Sequence, residues 1–289
     1  MPPVALVSDT THYLPAELLA RHDIALVSLY VTDAGGGLRR EADIDDLGGY
    51  YDALRAGTGL PTTSQPSIGD FLAVYEPLLE AGRDIVSVHL AGGISGTVDS
   101  ARQAAEAALE RFPDRRIEVR DSGSACGGYG AILLAGAAAA EGGADVEAVA
   151  ARVEQAIASA RIWFAVDTLE FLRRGGRIGT AQAWLGGALK VKPILTVRGE
   201  ILPVERVRTS SRAFARMVEF MTTLSEEGAT AWMIQHIQAP EEAERLAEAG
   251  RAHFGTEPRV ISEIGPVIGA HVGPGLLGVG GVPPALLEA

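Results

Sequence analysis

The feature that most constrains the fold is the alternation of short apolar runs with amphipathic helix patterns in the first 160 residues. Apolar runs typical of strands lie at residues 4–7, 24–31, 85–90 and 117–120, and apolar residues recur with helical spacing between them, as at 68–79 and 101–112. Strands that alternate with helices of this length predict a parallel sheet with helices on both faces, a three-layer α/β domain. Ligands bind such sheets at the carboxyl ends of the strands, and Ser, Thr, Asp and Gly collect there in this chain.

The remaining residues follow a different pattern. Strand-like runs lie at 163–166, 193–197, 201–207, 231–237 and 259–261, and residues 193–207 are typical of a hairpin that turns at 198–200. Helix patterns follow at 214–224 and 241–253. This order predicts a smaller α/β (α+β) domain with a mixed or antiparallel sheet. We place the domain boundary near residue 160, which gives domains of 1–160 and 161–289.

Charge and composition exclude several classes of protein. The net charge of −12 argues against a nucleic-acid partner, because phosphate binding needs a basic face. This charge is uneven, since residues 161–216 carry 11 basic against 4 acidic residues. The single cysteine, Cys126, excludes a disulfide framework and a Cys-based zinc site. No apolar run reaches the ~20 residues of a membrane span, and Met1-Pro2-Pro3 leads into a strand-like run without the features of a signal peptide, so we expect a cytoplasmic protein.

Two loops in the first half combine hydroxyl groups with the start of a helix. Residues 61–67 precede the helix pattern that begins at Ile68, and the free N–H groups at the start of a helix favour an anion. The alternative is that Ser67 is an ordinary N-cap, which explains the hydroxyl group at this position equally well. Residues 91–97 form a Gly-rich turn from strand to helix that contains Ser95. This turn is neither a lysine-bearing phosphate loop nor a Gly-x-Ser-x-Gly elbow, so a tight turn and an anion site both remain open.

Two loops in the second half carry basic groups. Three arginines lie within 173–177, and a helix C-terminus explains Arg173 and Arg174 better than it explains Arg177, which follows two glycines. Residues 265–275 place His271 among many Gly and Pro residues, which predicts an irregular loop that is neither strand nor helix. The histidine there is either a donor to an anion or a solvated loop residue.

Taken together, these segments resemble the DegV family, which includes the FakB fatty-acid-binding subunits of bacterial fatty acid kinase. The similarity covers nearly the whole chain and rests on the order and spacing of short motifs. These motifs are Ser8-Asp9-Thr10-Thr11, Thr63-Ser64-Gln65-Pro66-Ser67, Ile94-Ser95-Gly96-Thr97, Asp121-Ser122, Asp167-Thr168-Leu169, Gly175-Gly176-Arg177-Ile178, Lys192-Pro193-Ile194-Leu195 and Gly269-Ala270-His271-Val272-Gly273-Pro274-Gly275. The chain departs from the family at Ala91-Gly92-Gly93, where a Ser-Ser pair is usual.

The resemblance implies a two-domain protein that holds a long-chain fatty acid, such as palmitate, in an apolar tunnel at the domain interface. Thr63 and Ser95 match the residues that hold the carboxylate in the family, and His271 and Arg177 match residues beside it. In family members that work with the kinase, a separate ATP-binding subunit phosphorylates the acid. The resemblance therefore implies a substrate carrier without catalytic residues, metal or other cofactor.

Two other functions remain open from the sequence. Ser95 and His271 are the residue types that a serine-dependent acyl hydrolase or transferase uses. A lipid sensor without a kinase partner is the third hypothesis. No paired carboxylates, metal-ligand cluster or Ser-His-Asp arrangement can be identified in the sequence, which favours the carrier.

Overall fold

The computed structural model describes residues 3–32, 35–57, 61–184 and 191–289. Within these ranges the strands form three sheets. The strands are β1 (Val4–Asp9), β2 (Ile24–Val27), β3 (Tyr30–Thr32), β4 (Leu38–Arg40), β5 (Thr62–Ser64), β6 (Asp84–His89), β7 (Ile117–Asp121), β8 (Arg161–Ala165), β9 (Lys192–Arg198), β10 (Glu200–Val207), β11 (Ala231–His236), β12 (Ile261–Glu263) and β13 (Leu277–Val282). The α-helices are α1 (Ala16–Arg21), α2 (Leu47–Ala56), α3 (Ile68–Glu80), α4 (Thr97–Arg111), α5 (Cys126–Glu141), α6 (Val146–Ser159), α7 (Glu170–Arg174), α8 (Ser210–Glu226), α9 (Pro240–Phe254) and α10 (Pro266–Val272).

The first sheet is parallel throughout and has the strand order β2-β1-β6-β7. Helices α3 and α4 pack on one face, and α5 and α6 pack on the other, which confirms the predicted three-layer arrangement. The predicted N-cap of α3 is also confirmed. Ser67 Oγ accepts from the Asp70 N–H, and the Asp70 side chain accepts from the Ser67 N–H at 2.8 Å, which is a complete capping box.

The second sheet has the order β10-β9-β8-β13-β11-β12 and is mixed, since β11 and β12 are parallel and the other pairs are antiparallel. The predicted hairpin is confirmed as β9 and β10, with Gly199 at φ +75° in its turn. The sequence did not predict β13, because its glycines lower strand propensity. A Cβ on Gly280 would lie 2.5 Å from the Arg161 carbonyl oxygen of β8, so close packing against that strand requires glycine here.

Helix α5 lies between the two sheets and contacts both. It packs on β1 and β6 of the first sheet and on β8, β11 and β13 of the second. Every residue from Cys126 to Ala140 is buried, so the helix shows no amphipathic period, and the sequence pattern did not predict it. No helix in the described part of the chain is both long and apolar enough to cross a bilayer.

The third sheet is small and antiparallel, in the order β4-β3-β5. It corrects two predictions. The run at 24–31 is not one strand, because the first strand ends at Val27 and the chain enters the third sheet at Tyr30. Residues 62–64 are not a loop but strand β5, and Thr63 pairs with Val31. This sheet fixes the position of Thr63.

The prediction of an irregular loop at 265–275 is also wrong, since Pro266–Val272 is a helix. Proline is favoured at the first helical position, where its missing N–H costs nothing. Gly269 packs against the fully buried Tyr51, whose hydroxyl donates to the Ile264 carbonyl at 2.7 Å, and a Cβ on Gly269 would collide with that ring. Glycine therefore serves close packing of α10 on α2, and the turn predicted from Gly and Pro begins only at Gly273.

Candidate ligand-binding site

A cavity of about 260 Å³ opens between the second sheet, the start of α5, α10 and the loops that follow the first sheet. Most of its wall is apolar. The large apolar side chains that line it are Leu29, Leu90, Ile94, Ile162, Phe164, Leu172, Val197, Ile201, Met233, Ile264, Val267, Ile268, Val272, Leu276 and Val279. A wall of this composition suits a ligand with a long hydrocarbon part.

All four residues predicted for the site line this cavity, although they come from four separate segments. Thr63 on β5 and His271 on α10 form a hydrogen bond of 2.7 Å between Oγ1 and Nε2. Arg177, in the segment after α7, donates from Nε to the Ile94 carbonyl at 3.2 Å. Ser95 follows Ile94 in the turn after β6. The tertiary structure therefore brings four side chains from separate segments to the wall of one cavity.

The turn that carries Ser95 is anchored at both ends. The fully buried Asp9 carboxylate accepts from the Leu90 N–H at 3.0 Å, and Ser95 Oγ lies 2.8 Å from Thr97 Oγ1 at the start of α4. The Gly93 backbone packs against the hairpin tip, and a Cβ on Gly93 would lie 3.2 Å from the Gly199 carbonyl carbon. A side chain at position 93 would collide with the hairpin, so close packing requires glycine here.

His271 is neutral in this site. Burial, together with the nearby Arg177 guanidinium, lowers the pKa of His271 to about 4. Its Nδ1 is buried and has no hydrogen-bond partner among the described residues. In the tautomer with the proton on Nε2, the ring donates to Thr63 Oγ1, and the Thr63 O–H is then free to donate to an anion in the cavity.

The arginines of the basic block 161–216 have different environments. Arg173 and Arg174 end α7 and form ion pairs with Glu170 at 2.7 and 2.5 Å, which confirms the helix C-terminus expected there. Arg216 is paired with Glu205 at 2.6 Å. Arg177 differs from these three because it lines the cavity and binds backbone carbonyls.

The hydrogen bonds of Ser95 and His271 do not form the chain that a serine hydrolase needs. In such enzymes the serine bonds to the histidine, and a carboxylate orients the other ring nitrogen. Here the Ser95 hydroxyl is bonded to Thr97, and the His271 ring is bonded to Thr63. Ser95 is therefore not paired with a histidine base as in a serine hydrolase.

A Ser-His-Asp series does occur elsewhere in the first sheet. Ser87 Oγ lies 2.7 Å from His89 Nε2, and His89 Nδ1 lies 3.1 Å from Asp9 Oδ2. All three side chains are fully buried, so no substrate reaches the serine. The series instead fixes the ends of β1 and β6.

A buried carboxyl group links α10 to the first half of the chain. Glu41 accepts hydrogen bonds from the Thr10 hydroxyl, from the Tyr13 hydroxyl at 2.8 Å and from the Val267 N–H at 2.8 Å. Burial raises the pKa of Glu41 to about 7 despite these donors. The helix that carries His271 is thus held through a hydrogen bond to an ionisable group.

Comparison with known proteins identifies the family. A family model described as "Uncharacterised protein, DegV family" matches residues 3–283. The chain belongs to the DegV family. A DegV domain-containing protein of Streptomyces coelicolor is 40% identical over 279 residues, which cover 96% of this chain and 97% of that relative. The resemblance inferred from the motifs is confirmed.

Solved structures share the fold over nearly the whole chain. A fatty-acid-binding DegV family protein from Thermus thermophilus is 34% identical, with a TM-score of 0.87 and coverage of 98% of this chain and 100% of that one. A stearic-acid-binding protein from Eubacterium ventriosum is 26% identical, with a TM-score of 0.89 and coverage of 97% and 98%. The two-domain α/β fold predicted for this DegV-family chain is confirmed.

Sequence reasoning missed Cys126 and Gln235, which also line the cavity. Burial raises the pKa of the Cys126 thiol, so this residue forms part of the wall as an uncharged side chain. Gln235 could have been found from strand periodicity. Because alternate residues of a strand share a face, Gln235 lies on the same face of β11 as Met233, whereas Trp232 and Ile234 belong to the core on the other side.

Proposed function

We propose that this chain binds a long-chain fatty acid such as palmitate in the cavity. Thr63 and Ser95 hold the carboxylate, and His271 and Arg177 lie beside it. The observation that carries the proposal is the convergence of these four side chains, from four segments, on one mostly apolar cavity. The fatty-acid-binding relatives with the same fold support it.

The energetics of this site suit an acyl ligand. Burial of one methylene contributes ~0.8 kcal/mol, so about 14 methylenes contribute a gross ~11 kcal/mol, part of which offsets the entropy lost on association. The carboxylate must be hydrogen-bonded, because burial of an unpaired charge costs several kcal/mol. The Thr63 and Ser95 hydroxyls are suitable donors, and the Arg177 guanidinium supplies a positive charge.

A carrier function fits the hydrogen bonds of Ser95, whose hydroxyl is bonded to Thr97 and not to His271. The chain presents the acid to a separate ATP-dependent kinase subunit in the cytoplasm, which converts the carboxylate to an acyl phosphate. The carboxylate then lies at the interface of domains 1–160 and 161–289. The hydrogen bond between Thr63 and His271, which joins these two domains, supports this placement.

Native mass spectrometry of the delipidated protein tests the binding. We expect one equivalent of palmitic or stearic acid to bind, and the purified protein to carry a co-purified acid before delipidation. Methyl palmitate is the matched control ligand, because it keeps the chain and loses the anion. Protein that binds neither free acid contradicts the proposed function.

The carrier step has its own test. The acid-loaded protein is mixed with ATP and an acyl kinase subunit, and acyl phosphate is trapped with hydroxylamine. We expect product only in the complete mixture. Product formed by this chain with ATP alone contradicts the carrier assignment, and binding without product in any mixture favours a lipid sensor.

A further inference from the structure

Gln235 lies in the wall between two cavities. Its side-chain nitrogen Nε2 donates to the His12 carbonyl at 2.9 Å and to Ser262 Oγ at 2.9 Å. Both partners belong to the wall of a second cavity, whereas Gln235 itself lines the cavity assigned to the acyl chain. The residue is 4% exposed, so its amide is held inside the protein.

The amide oxygen of Gln235 is an unused acceptor. Oε1 is buried and has no hydrogen-bond partner in the described residues. A flipped amide would bring Oε1 against the His12 carbonyl, so the hydrogen bonds that Nε2 donates fix the orientation of the amide. Oε1 lies 3.3 Å from the place that a Cβ on Gly127 would occupy, and Gly127 also lines the acyl cavity. Met233 lies on the same side, since its Sδ is 3.1 Å from that place, so Oε1 faces Gly127 and Met233 at the edge of the acyl cavity.

An unused acceptor in an apolar wall distinguishes between ligands. A plain methylene chain beside Oε1 leaves the acceptor without a partner, which is unfavourable in a buried site. A hydroxyl group on the chain donates to Oε1 and satisfies both groups. A site built to bond a hydroxyl discriminates against the ligand that lacks it.

We propose that Gln235 selects a long-chain fatty acid that carries a hydroxyl group on its chain. This inference rests on the proposed function and names the ligand class of the same site. Thr63 and Ser95 then recognise the carboxylate, and Gln235 recognises the hydroxyl through a second hydrogen bond in the apolar wall.

Affinity ratios test the proposal. Dissociation constants of delipidated wild-type protein are measured for stearic acid and for a series of hydroxystearic acids that differ in hydroxyl position. We expect at least one isomer to bind about fivefold more tightly than stearic acid, which is the effect of one net hydrogen bond. In Gln235→Met, which keeps the length of the side chain and removes the amide, we expect this preference to be lost.

Two further variants complete the test. Gln103→Met makes the same exchange at an exposed position of α4 that does not line the cavity, so the wild-type preference should persist. Gly127→Ala places a methyl group 3.3 Å from Oε1 and 3.1 Å from Met233 Sδ without removing any hydrogen bond of Gln235. The methyl group closes the approach to Oε1, so the preference should be lost even if Gln235→Met fails to fold.

The outcomes are distinguishable from failure of the proposed function. Wild-type protein that binds stearic acid, but binds no hydroxylated isomer more tightly, overturns the inference and leaves fatty-acid binding intact. A preference that persists in Gln235→Met, or in Gly127→Ala where Gln235→Met does not fold, also overturns it. Protein that binds no acid at all overturns both proposals.

Discussion

Replacement of Thr63 by valine tests the carboxylate site most directly, because valine keeps the branched shape and removes only the hydroxyl. A hydrogen bond to a charged group contributes about 1.5–3 kcal/mol, so we expect the variant to bind palmitic acid about 10- to 150-fold more weakly. The His271 ring also loses its 2.7 Å partner. The loss of this partner also lowers the free energy of unfolding of the ligand-free protein by about 1–3 kcal/mol, because a buried polar atom is left without a hydrogen bond.

Displacement of a fluorescent fatty acid from delipidated protein at pH 7 measures the change in affinity, and urea unfolding measures the change in stability. Thr62→Val is the matched control, since Thr62 is exposed on the same strand and does not line the cavity. We expect the control to remain within about twofold of wild type. If Thr63→Val binds the acid as tightly as Thr62→Val does, Thr63 does not hold the carboxylate and the assignment is wrong.

Two predictions concern stability. Burial lowers the pKa of His12 and His271 to about 4, so the unfolded chain takes up protons first as the pH falls below about 6.5, and stability decreases. The pKa of Glu41 is raised to about 7, so the folded chain takes up one proton first, and this opposes the decrease. In Glu41→Gln this opposing effect is absent, so the free energy of unfolding should fall between pH 6.5 and 4.5 more steeply than in the wild type, by about 1.4 kcal/mol per pH unit. Urea unfolding at a series of pH values measures this slope, and equal slopes for variant and wild type would contradict the prediction. Gly269→Ala should lower the free energy of unfolding by about 1–3 kcal/mol, because the added Cβ collides with the buried Tyr51 ring. Gly48→Ala in helix α2 is the control, since its Cβ would make only an ordinary contact of 3.6 Å with the Asp46 side chain, and it should be neutral or stabilising by up to ~1 kcal/mol. Equal effects of the two variants would refute the packing argument.

Much of the fold could be predicted from local patterns. The parallel sheet of the first half follows from apolar runs that alternate with amphipathic helices, and the hairpin at 193–207 follows from two strand-like runs around Gly199. These elements have one buried face and one face toward solvent or helix, so periodicity identifies them. Helix α5 and strand β13 escaped prediction because both are buried on all sides and rich in small residues, which leaves no period to detect.

The candidate site could be predicted only in part. Residues 63, 95, 177 and 271 were identified through motifs that resemble the DegV family, and no local pattern states that they share a cavity. The contact between Thr63 and His271 spans 208 residues of sequence and depends on β5 and α10, both of which local reasoning assigned to loops. Gly and Pro in 265–275 indicated irregular backbone, whereas Gly269 is there for contact with Tyr51.

The sequence by itself determined the fold class, the N-cap at Ser67, the hairpin and, through its motifs, the family. These properties depend on neighbouring residues or on an ordered set of short segments. Only the tertiary structure decided that four distant polar groups line one cavity, that His271 is neutral there, and that Gln235 presents an unused oxygen to the same wall. The physical reason is that burial and hydrogen bonding depend on which segments pack together, and those segments are far apart in the sequence, by 208 positions for Thr63 and His271.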